Sequence, residues 1–136
     1  MRPVRLPRPP PPTTAKGQPA VTVWFKRGEA ISAWDGKSPV RAGDAVRLEA
    51  MPAGYPYLTV VSAAGGDLTT LFAAKADPTG KPTLTPAWRL DAVGRQEHLA
   101  VLFTRAPVDD ASLAALLSRR DAQAWSVHEV LPKESP

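Results

Sequence analysis

The sequence contains no cysteine, which excludes disulfide bonds, thiolate metal sites and cysteine nucleophiles. It also lacks any apolar run near the roughly 18–20 residues that a membrane-spanning helix needs. The first residues carry arginine but no apolar segment, so they do not resemble a signal peptide. We therefore expect a soluble chain with no export signal of its own.

The residue patterns that usually mark an enzyme are also missing. The glycine pair in residues 64–67 lies between two strand patterns and has no lysine after it, so it does not form a phosphate-binding loop. The two histidines, His98 and His128, are far apart in sequence and show no metal-ligand spacing. The sequence thus predicts no catalytic, cofactor-binding or metal-binding residue, and no enzyme.

Acidic residues are absent before Glu29, and this absence explains the net charge of +4. Four of the 17 basic residues lie within the first 16 positions, which leaves 13 to balance the 13 acids of the rest. A nucleic-acid-binding domain usually spreads basic residues over its fold. The neutral body of this chain therefore predicts no nucleic-acid partner.

Proline is abundant, and seven of the 16 prolines fall in residues 1–19. The run in residues 8–12 (RPPPP) favours polyproline II, an extended and semi-rigid conformation. We interpret residues 1–19 as a basic, proline-rich arm or linker. A ligand for a proline-recognising groove and an electrostatic arm for phosphate groups are the alternatives.

Most of the remaining chain shows the period of two that is typical of strands. Apolar and polar residues alternate over residues 21–26, and similar short segments follow over 29–34 and 45–50. Residues 57–62 and 98–104 are apolar on both faces, which predicts central positions in a sheet. Residues 84–90 contain Pro86 and are expected at a sheet edge, because proline lacks the donor that a central strand needs. A last strand is predicted from Trp125 to Val130.

One helix is predicted, over about residues 109–119. Asp109 or Asp110 can cap its first turn, and leucines at helical spacing give it an apolar face. Arg119 and Arg120 suit its last turn. The fold class is therefore mainly β, an antiparallel sandwich or partly open barrel with one helix. Residues 20–131 form the domain, and 132–136 form a polar tail.

The aspartates and tryptophans carry the remaining candidate roles. Aspartates 35, 44, 67, 77 and 91 fall in or beside predicted turns, where a carboxylate usually accepts bonds from its own backbone. Tryptophans 24, 34, 88 and 125 lie in or beside strand patterns, which favours core packing. Exposed tryptophans would instead stack on sugars, so a glycan-binding role stays open.

Several stretches together resemble a bacterial domain of unknown function found at the C-terminus of signalling proteins, including anti-sigma-factor-like membrane proteins and serine/threonine kinases. The stretches are residues 15–17, 41–48 (RAGDAVRL), 52–62 (PAGYPYLTVVS), 71–72 and 97–108 (EHLAVLFTRAPV). Their order and spacing carry the resemblance, which covers roughly residues 15–131. Ala73 departs from it, since a proline is common there.

The resemblance implies a β-rich sensor or protein-interaction domain with no assigned catalytic residues. It implies an extracytoplasmic, periplasmic location, with Met1 an introduced start and a membrane anchor upstream. A natural start at Met1 would instead imply the cytoplasm. The main hypothesis is a non-catalytic domain that docks an unidentified protein through a sheet edge or a loop. The alternative is a small-ligand or glycan-binding sandwich that uses exposed tryptophans.

Because residues 1–19 offer few apolar side chains to bury, the arm is expected to be energetically separate from the domain. Deleting residues 1–17 should leave the melting temperature within about two degrees of the full chain. Rapid proteolysis near Lys16 should accompany this result. A protected arm and a destabilised truncation would contradict the predicted boundary.

Overall fold

Alternating apolar and polar residues form strands much as the sequence predicts. The computed structural model describes residues 18–64 and 67–134, and there the chain folds into two antiparallel sheets with one short helix. The described strands are β1 (Ala20–Arg27), β2 (Ala30–Ala33), β3 (Ala45–Met51), β4 (Tyr57–Ala64), β5 (Asp67–Lys75), β6 (Thr83–Leu84), β7 (Trp88–Arg89), β8 (Gln96–Thr104) and β9 (Ala124–Pro132).

The two sheets form a sandwich and not a closed barrel, which confirms the mainly β fold. The first sheet has the order β2-β1-β3-β6, and β7 also pairs with β3. The second sheet has the order β5-β4-β8-β9. The predicted central positions of residues 57–62 and 98–104 are confirmed, because β4 and β8 are the two inner strands of the second sheet.

The main core fills the space between the sheets. Val23 and Leu48 enter it from the first sheet, and Val60, Val101 and Phe103 from the second. A smaller cluster lies on the other face of the second sheet, where Leu113 of the helix covers the outward side chains of the inner strands. As a result, every residue of β8 from Leu99 to Thr104 is buried.

The edge segment at residues 83–89 is split into two short strands. Pro86 cannot donate to β3, and the adjacent Thr85 completes the pairing instead. Its hydroxyl accepts a hydrogen bond from the Leu48 amide at 2.9 Å, and its own amide donates to the Leu48 carbonyl at 3.0 Å. The predicted edge position is confirmed, with a gap in the strand at the proline.

The predicted helix over 109–119 is wrong in its length. A 3₁₀ turn spans Asp110–Ser112, and the α-helix α1 spans only Leu113–Leu116. Asp109 caps the segment as expected, since its carboxylate accepts the Ser112 amide at 2.9 Å. The chain then leaves the helical path because Leu117 and the residues after it bond to β9.

Two hydrogen bonds show this competition with β9. The Leu117 carbonyl accepts the Ser126 hydroxyl at 2.7 Å, and the Arg119 carbonyl accepts the Ser126 amide at 3.0 Å. Arg119 and Arg120 therefore do not lie in a last helical turn. Arg119 pairs with Asp121, and the Arg120 guanidinium lies 5.8 Å from the centre of the Trp125 ring.

The boundaries of the domain also differ from the prediction. Pro19 is buried, and β9 extends to Pro132. Lys133 then bridges to Val40, and the Glu134 amide donates to the Val40 carbonyl. Residues 132–134 are thus part of the fold and not of a polar tail. Residues 1–17 of the predicted arm at 1–19, the glycine turn at 65–66 and the end at 135–136 lie outside the described residues.

Two turns fix the ends of the sandwich. Asp44 is buried and accepts two hydrogen bonds from the Arg27 guanidinium, at 3.1 and 2.8 Å, and one from the Arg41 amide at 2.8 Å. Burial opposes the charged form of Asp44, but these bonds outweigh it and hold the pKa of the carboxyl below its ordinary value. The turn before β3 is therefore joined to the end of β1.

At the other turn, Ala53 takes a positive φ of 51°, which costs about 1–2 kcal/mol for a residue with a Cβ. The turn directs the buried Tyr55 ring against Phe103, with ring centroids 6.5 Å apart. The Tyr55 hydroxyl donates to the Asp121 carbonyl at 2.5 Å. The strained backbone therefore places an aromatic side chain that closes this end of the core.

Truncation of Phe103 tests the central position of β8. The ring is fully buried between the sheets, so Phe103→Ala should lower the free energy of unfolding by about 3–5 kcal/mol. The same substitution at the half-buried Phe25 should cost clearly less. Chemical denaturation of both variants provides the measurement. Equal losses at the two positions would contradict the burial described here.

Candidate interaction surface

The first sheet has a face that no described residue covers. Strand alternation directs Val23 and Leu48 into the core, so their neighbours Trp24, Arg47 and Glu49 lie on the opposite face. We call this outward side of β1, β2, β3 and β6 the open face. The corresponding face of the second sheet is instead covered in part by α1.

Apolar side chains cross the open face in a diagonal band. Ile31 is 66% exposed, Leu84 is 55% exposed and Met51 is 42% exposed, while Trp24 is half-buried. The strand register sets this order. Lys26 pairs with Ile31, so Ile31 is a diagonal neighbour of Trp24. Trp24 pairs with Arg47, and its diagonal neighbour Glu49 lies between it and Leu84, the direct partner of Glu49. Such diagonal neighbours lie about 7–8 Å apart.

Polar contacts hold the centre of the band in place. The Trp24 indole donates to a carboxylate oxygen of Glu49 at 3.0 Å, which fixes the ring against β3. Arg47 donates to the Thr85 carbonyl at 2.8 Å. The face therefore presents a fixed aromatic ring with ordered polar neighbours. Its side chains would lose little conformational entropy when a partner binds.

The sequence prediction that the tryptophans pack in the core holds for three of them. Trp34, Trp88 and Trp125 are half-buried against the main core. The Trp34 indole donates to the Ser38 carbonyl at 2.8 Å. Trp24 is the exception and lies on the open face. The alternation over residues 21–26 already places Trp24 on the polar face of β1, and this signal distinguishes it from the other three.

The aspartates in predicted turns accept bonds from nearby backbone amides. Asp35 accepts the Ser38 amide at 2.7 Å and the Lys37 amide at 2.9 Å, and with the Ser38 hydroxyl these bonds lower its pKa to about 2. Asp77 and Asp91 each accept one amide in the same way. Their structural role is confirmed. Asp67 instead begins β5 and is exposed.

The expected separation of the two histidines is wrong. They lie on neighbouring strands of the second sheet, and His98 Nε2 is 2.9 Å from His128 Nδ1. The second ring nitrogen of His128 lies 2.7 Å from the Leu117 carbonyl, so Nε2 carries its proton and Nδ1 accepts from His98. Sequence spacing missed this pair because it depends on the register between β8 and β9.

This pair has the geometry of a hydrogen bond. The ring centroids are 5.2 Å apart, so the line between the two nitrogens runs almost along the line between the rings. Two ligands of one metal ion would instead point at a common third position. The described residues contain no group of three or more histidine, cysteine, aspartate or glutamate side chains arranged to hold a metal.

A polar cavity of about 480 Å³ lies at one end of the sandwich, between the β7–β8 connection and the end of β9. Its buried cation is Lys133, whose ammonium donates to Glu97 at 2.6 Å, to Asp91 at 3.0 Å and to the Val93 carbonyl. All three protons of the ammonium are therefore used within the fold. Arg41 at the rim is paired with Glu134.

The residues that carry the sequence resemblance serve the fold. Residues 41–48 contain the Asp44 turn, residues 52–62 contain the Tyr55 turn and β4, and residues 97–108 contain β8. Arg105, in the last of these stretches, donates to the Gly54 carbonyl at 3.0 Å and so joins the second turn to the end of β8. Of these stretches, only residues 41–48 reach the open face, through the residues that lie in β3.

The histidine pair leads to a pH prediction. Burial first, and then the charge of His128, lower the pKa of His98 below its ordinary value of 6.5. As the pH falls below about 6.5, the unfolded chain binds a proton that the folded chain resists, so stability falls until the lower folded pKa is passed. His98→Gln should therefore lose less stability than the wild type between about pH 7.5 and about pH 5.5. Denaturant melts at both pH values measure the free energy of unfolding of the two proteins. A loss of stability in His98→Gln as large as that in the wild type would contradict this prediction.

Comparisons with known proteins assign no family or function to this chain. Among the described residues, no helix has the length and hydropathy of a membrane span. A scan against protein-family models and searches of curated proteins and solved structures give no match for this chain. The resemblance to a signalling domain therefore stays a prediction.

Proposed function

We propose that the chain is a non-catalytic protein-interaction domain that docks its partner on the open face. The observation that carries the proposal is the band of exposed apolar side chains around Trp24, on a sheet face that the described residues leave uncovered. Exposed apolar side chains gathered on one face cost solubility, and they commonly mark a binding site. Tryptophan at the centre of such a surface is typical of interface hot spots.

The charges around the band define the partner that fits it. Lys26, Arg47 and Arg89 lie on the open face and are exposed, while Glu49 is occupied by the Trp24 indole. These three cations outnumber the one carboxylate, so the charge around the apolar side chains is net positive. A partner surface with apolar side chains surrounded by carboxylates would be complementary in both respects.

The sequence resemblance supplies the biological setting of the proposal. It places the domain in a bacterial signalling protein, of the anti-sigma-factor-like kind, on the outer side of a membrane. In that setting the open face would be the sensor or docking surface of the domain. The support for this setting is the order of the stretches in residues 41–48, 52–62 and 97–108.

A glycan-binding role is the second candidate, and Trp24 is the observation that favours it. Its ring is partly exposed, and Glu49 and Arg47 beside it offer the acceptors and donors that bind sugar hydroxyls. The other three tryptophans pack on the core. Fluorescence quenching by a panel of cell-wall sugars, lost in Trp24→Phe, would support this candidate over the protein partner.

Site-specific photo-crosslinking can identify the protein partner. A photoreactive residue placed at Ile31 or at Leu84 in the full chain should capture one protein from cells of the source organism. Val93 is the matched control, because it is 76% exposed but lies in the β7–β8 connection, away from the open face. Equal capture from all three positions would contradict docking on the open face.

The captured protein, once purified, gives a quantitative test. Leu84→Glu places a charge in the apolar band and should weaken binding by about 2 kcal/mol or more, as at an interface hot spot. Val93→Glu should leave the Kd unchanged. Because Leu84→Glu also places a second carboxylate opposite Glu49, thermal melts verify that both variants stay folded at the temperature of the binding assay. Binding that survives Leu84→Glu and Trp24→Ala would exclude the open face as the docking surface.

A further inference from the structure

The apolar band on the open face is long and narrow. Two diagonal steps lead from Ile31 through Trp24 to Glu49, and Leu84 lies directly opposite Glu49. These steps continue in one direction across the sheet, and together they span about 20 Å. A partner segment that covers the band must therefore present an apolar stripe of about this length.

Three exposed cations lie on one side of the band. Arg47 is the direct partner of Trp24 on β3, and Lys26 and Arg89 both pair with Ala45, the next outward residue of β3. The strand positions on the other side of the band are uncharged, and they are Ala33, Thr22 and Met51.

The chain does not neutralise these three cations itself. The salt bridges among the described residues include none of them. Residues 1–17, 65–66 and 135–136 contain no aspartate or glutamate. Carboxylates that pair with the cations must therefore come from a partner, and they must lie along one flank of its apolar stripe.

The open face also restricts the kind of segment that can cover it. The inner strands β1 and β3 use their backbone groups for pairing within the sheet, so they offer none to a segment that lies on the face. A helix closes its backbone hydrogen bonds internally and gathers its apolar residues in a stripe along one side. The second sheet already shows this arrangement, because the helix α1 covers its outer face with Leu113.

We propose that the partner covers the apolar band with an amphipathic helix of about 13 residues that carries acidic side chains along one flank. The inference rests on the proposed function and names the element that the partner contributes. The length follows from the helical rise of 1.5 Å per residue, which brings 13 residues to about 20 Å. Side chains three and four residues apart share a flank of a helix, so the carboxylates can follow the row of cations.

The spacing of two crosslinks distinguishes a helix from other elements. Photoreactive residues at Ile31 and at Leu84 of the full chain attach to residues of the captured protein, which tandem mass spectrometry identifies. A helix should be attached at two positions about 13 residues apart. An extended segment covers the same distance with about six residues. A spacing near six, or attachment in two separate segments, would overturn the helix and leave docking on the open face intact.

A fluorescent synthetic peptide that spans the two attached positions tests the helix itself. Its binding to the full chain is measured by fluorescence anisotropy. Proline at a central position that makes no crosslink should weaken binding at least about tenfold, because proline breaks a helix interior. Proline at the first helical position is the matched control and should be tolerated. Equal binding of the two proline peptides would contradict a helical partner.

Charge reversal at Lys26 tests the acidic flank. The Lys26 side chain makes no salt bridge among the described residues, so its replacement leaves the contacts of the fold in place. Lys26→Glu should weaken binding of the peptide about tenfold, and Lys26→Arg should preserve it. Lys37→Glu is the control, since Lys37 is exposed in the β2–β3 connection. Equal losses in Lys26→Glu and Lys37→Glu, or no loss in either, would overturn the acidic flank.

Failure of the proposed function gives a different result from failure of the helix. If the open face docks no protein, capture from Ile31 and Leu84 equals capture from the control position Val93. The same conclusion follows if the peptide binds Leu84→Glu as tightly as the wild type. Either result overturns the proposed function, and the helix with it. Specific capture with the wrong crosslink spacing overturns the helix alone.

Discussion

Burial of β8 on both faces is the constraint on which the sandwich depends. Val101 and Phe103 fill the space between the sheets, and Leu102 between them is covered on the other side by Leu113. A strand buried on both sides needs a layer above and a layer below it. The short helix segment supplies the second layer, so the second sheet forms the interior of the domain. The first sheet covers that interior with one face only, which leaves its other face open.

The turns at the ends of the sandwich hold the strands of the open face in place. Asp44 joins the turn before β3 to the end of β1, and Tyr55 closes the opposite end against Phe103. The strands of the open face are thus fixed at both ends by buried groups, while Trp24 lies between them. A partner would meet a preformed surface, and little affinity would be lost to ordering it. The stretches that carry the family resemblance contain these structural residues, and they reach the open face only through residues 41–48.

Local periodicity predicts the strands well, because alternation is a property of a few adjacent residues. The mainly β fold and the inner positions of β4 and β8 followed from it. The length of the helix did not, since it ends where the Leu117 carbonyl accepts hydrogen bonds from Ser126 and His128 of β9. The histidine pair was missed for the same reason, because it depends on the register between β8 and β9. The outward position of Trp24 could have been predicted, since the alternation over residues 21–26 puts it on the face of Thr22 and Lys26.

The central claim is that the band on the open face is accessible in the full chain, and hydroxyl-radical footprinting tests it directly. Mass spectrometry measures the oxidation rates of Met51 and Trp24 on the open face and of Tyr55 and Phe103 in the core. The account predicts fast oxidation of Met51 and Trp24 and slow oxidation of the core rings. Met51 and Trp24 protected to the level of Phe103 would mean that the face is covered, and the proposed docking surface would be wrong.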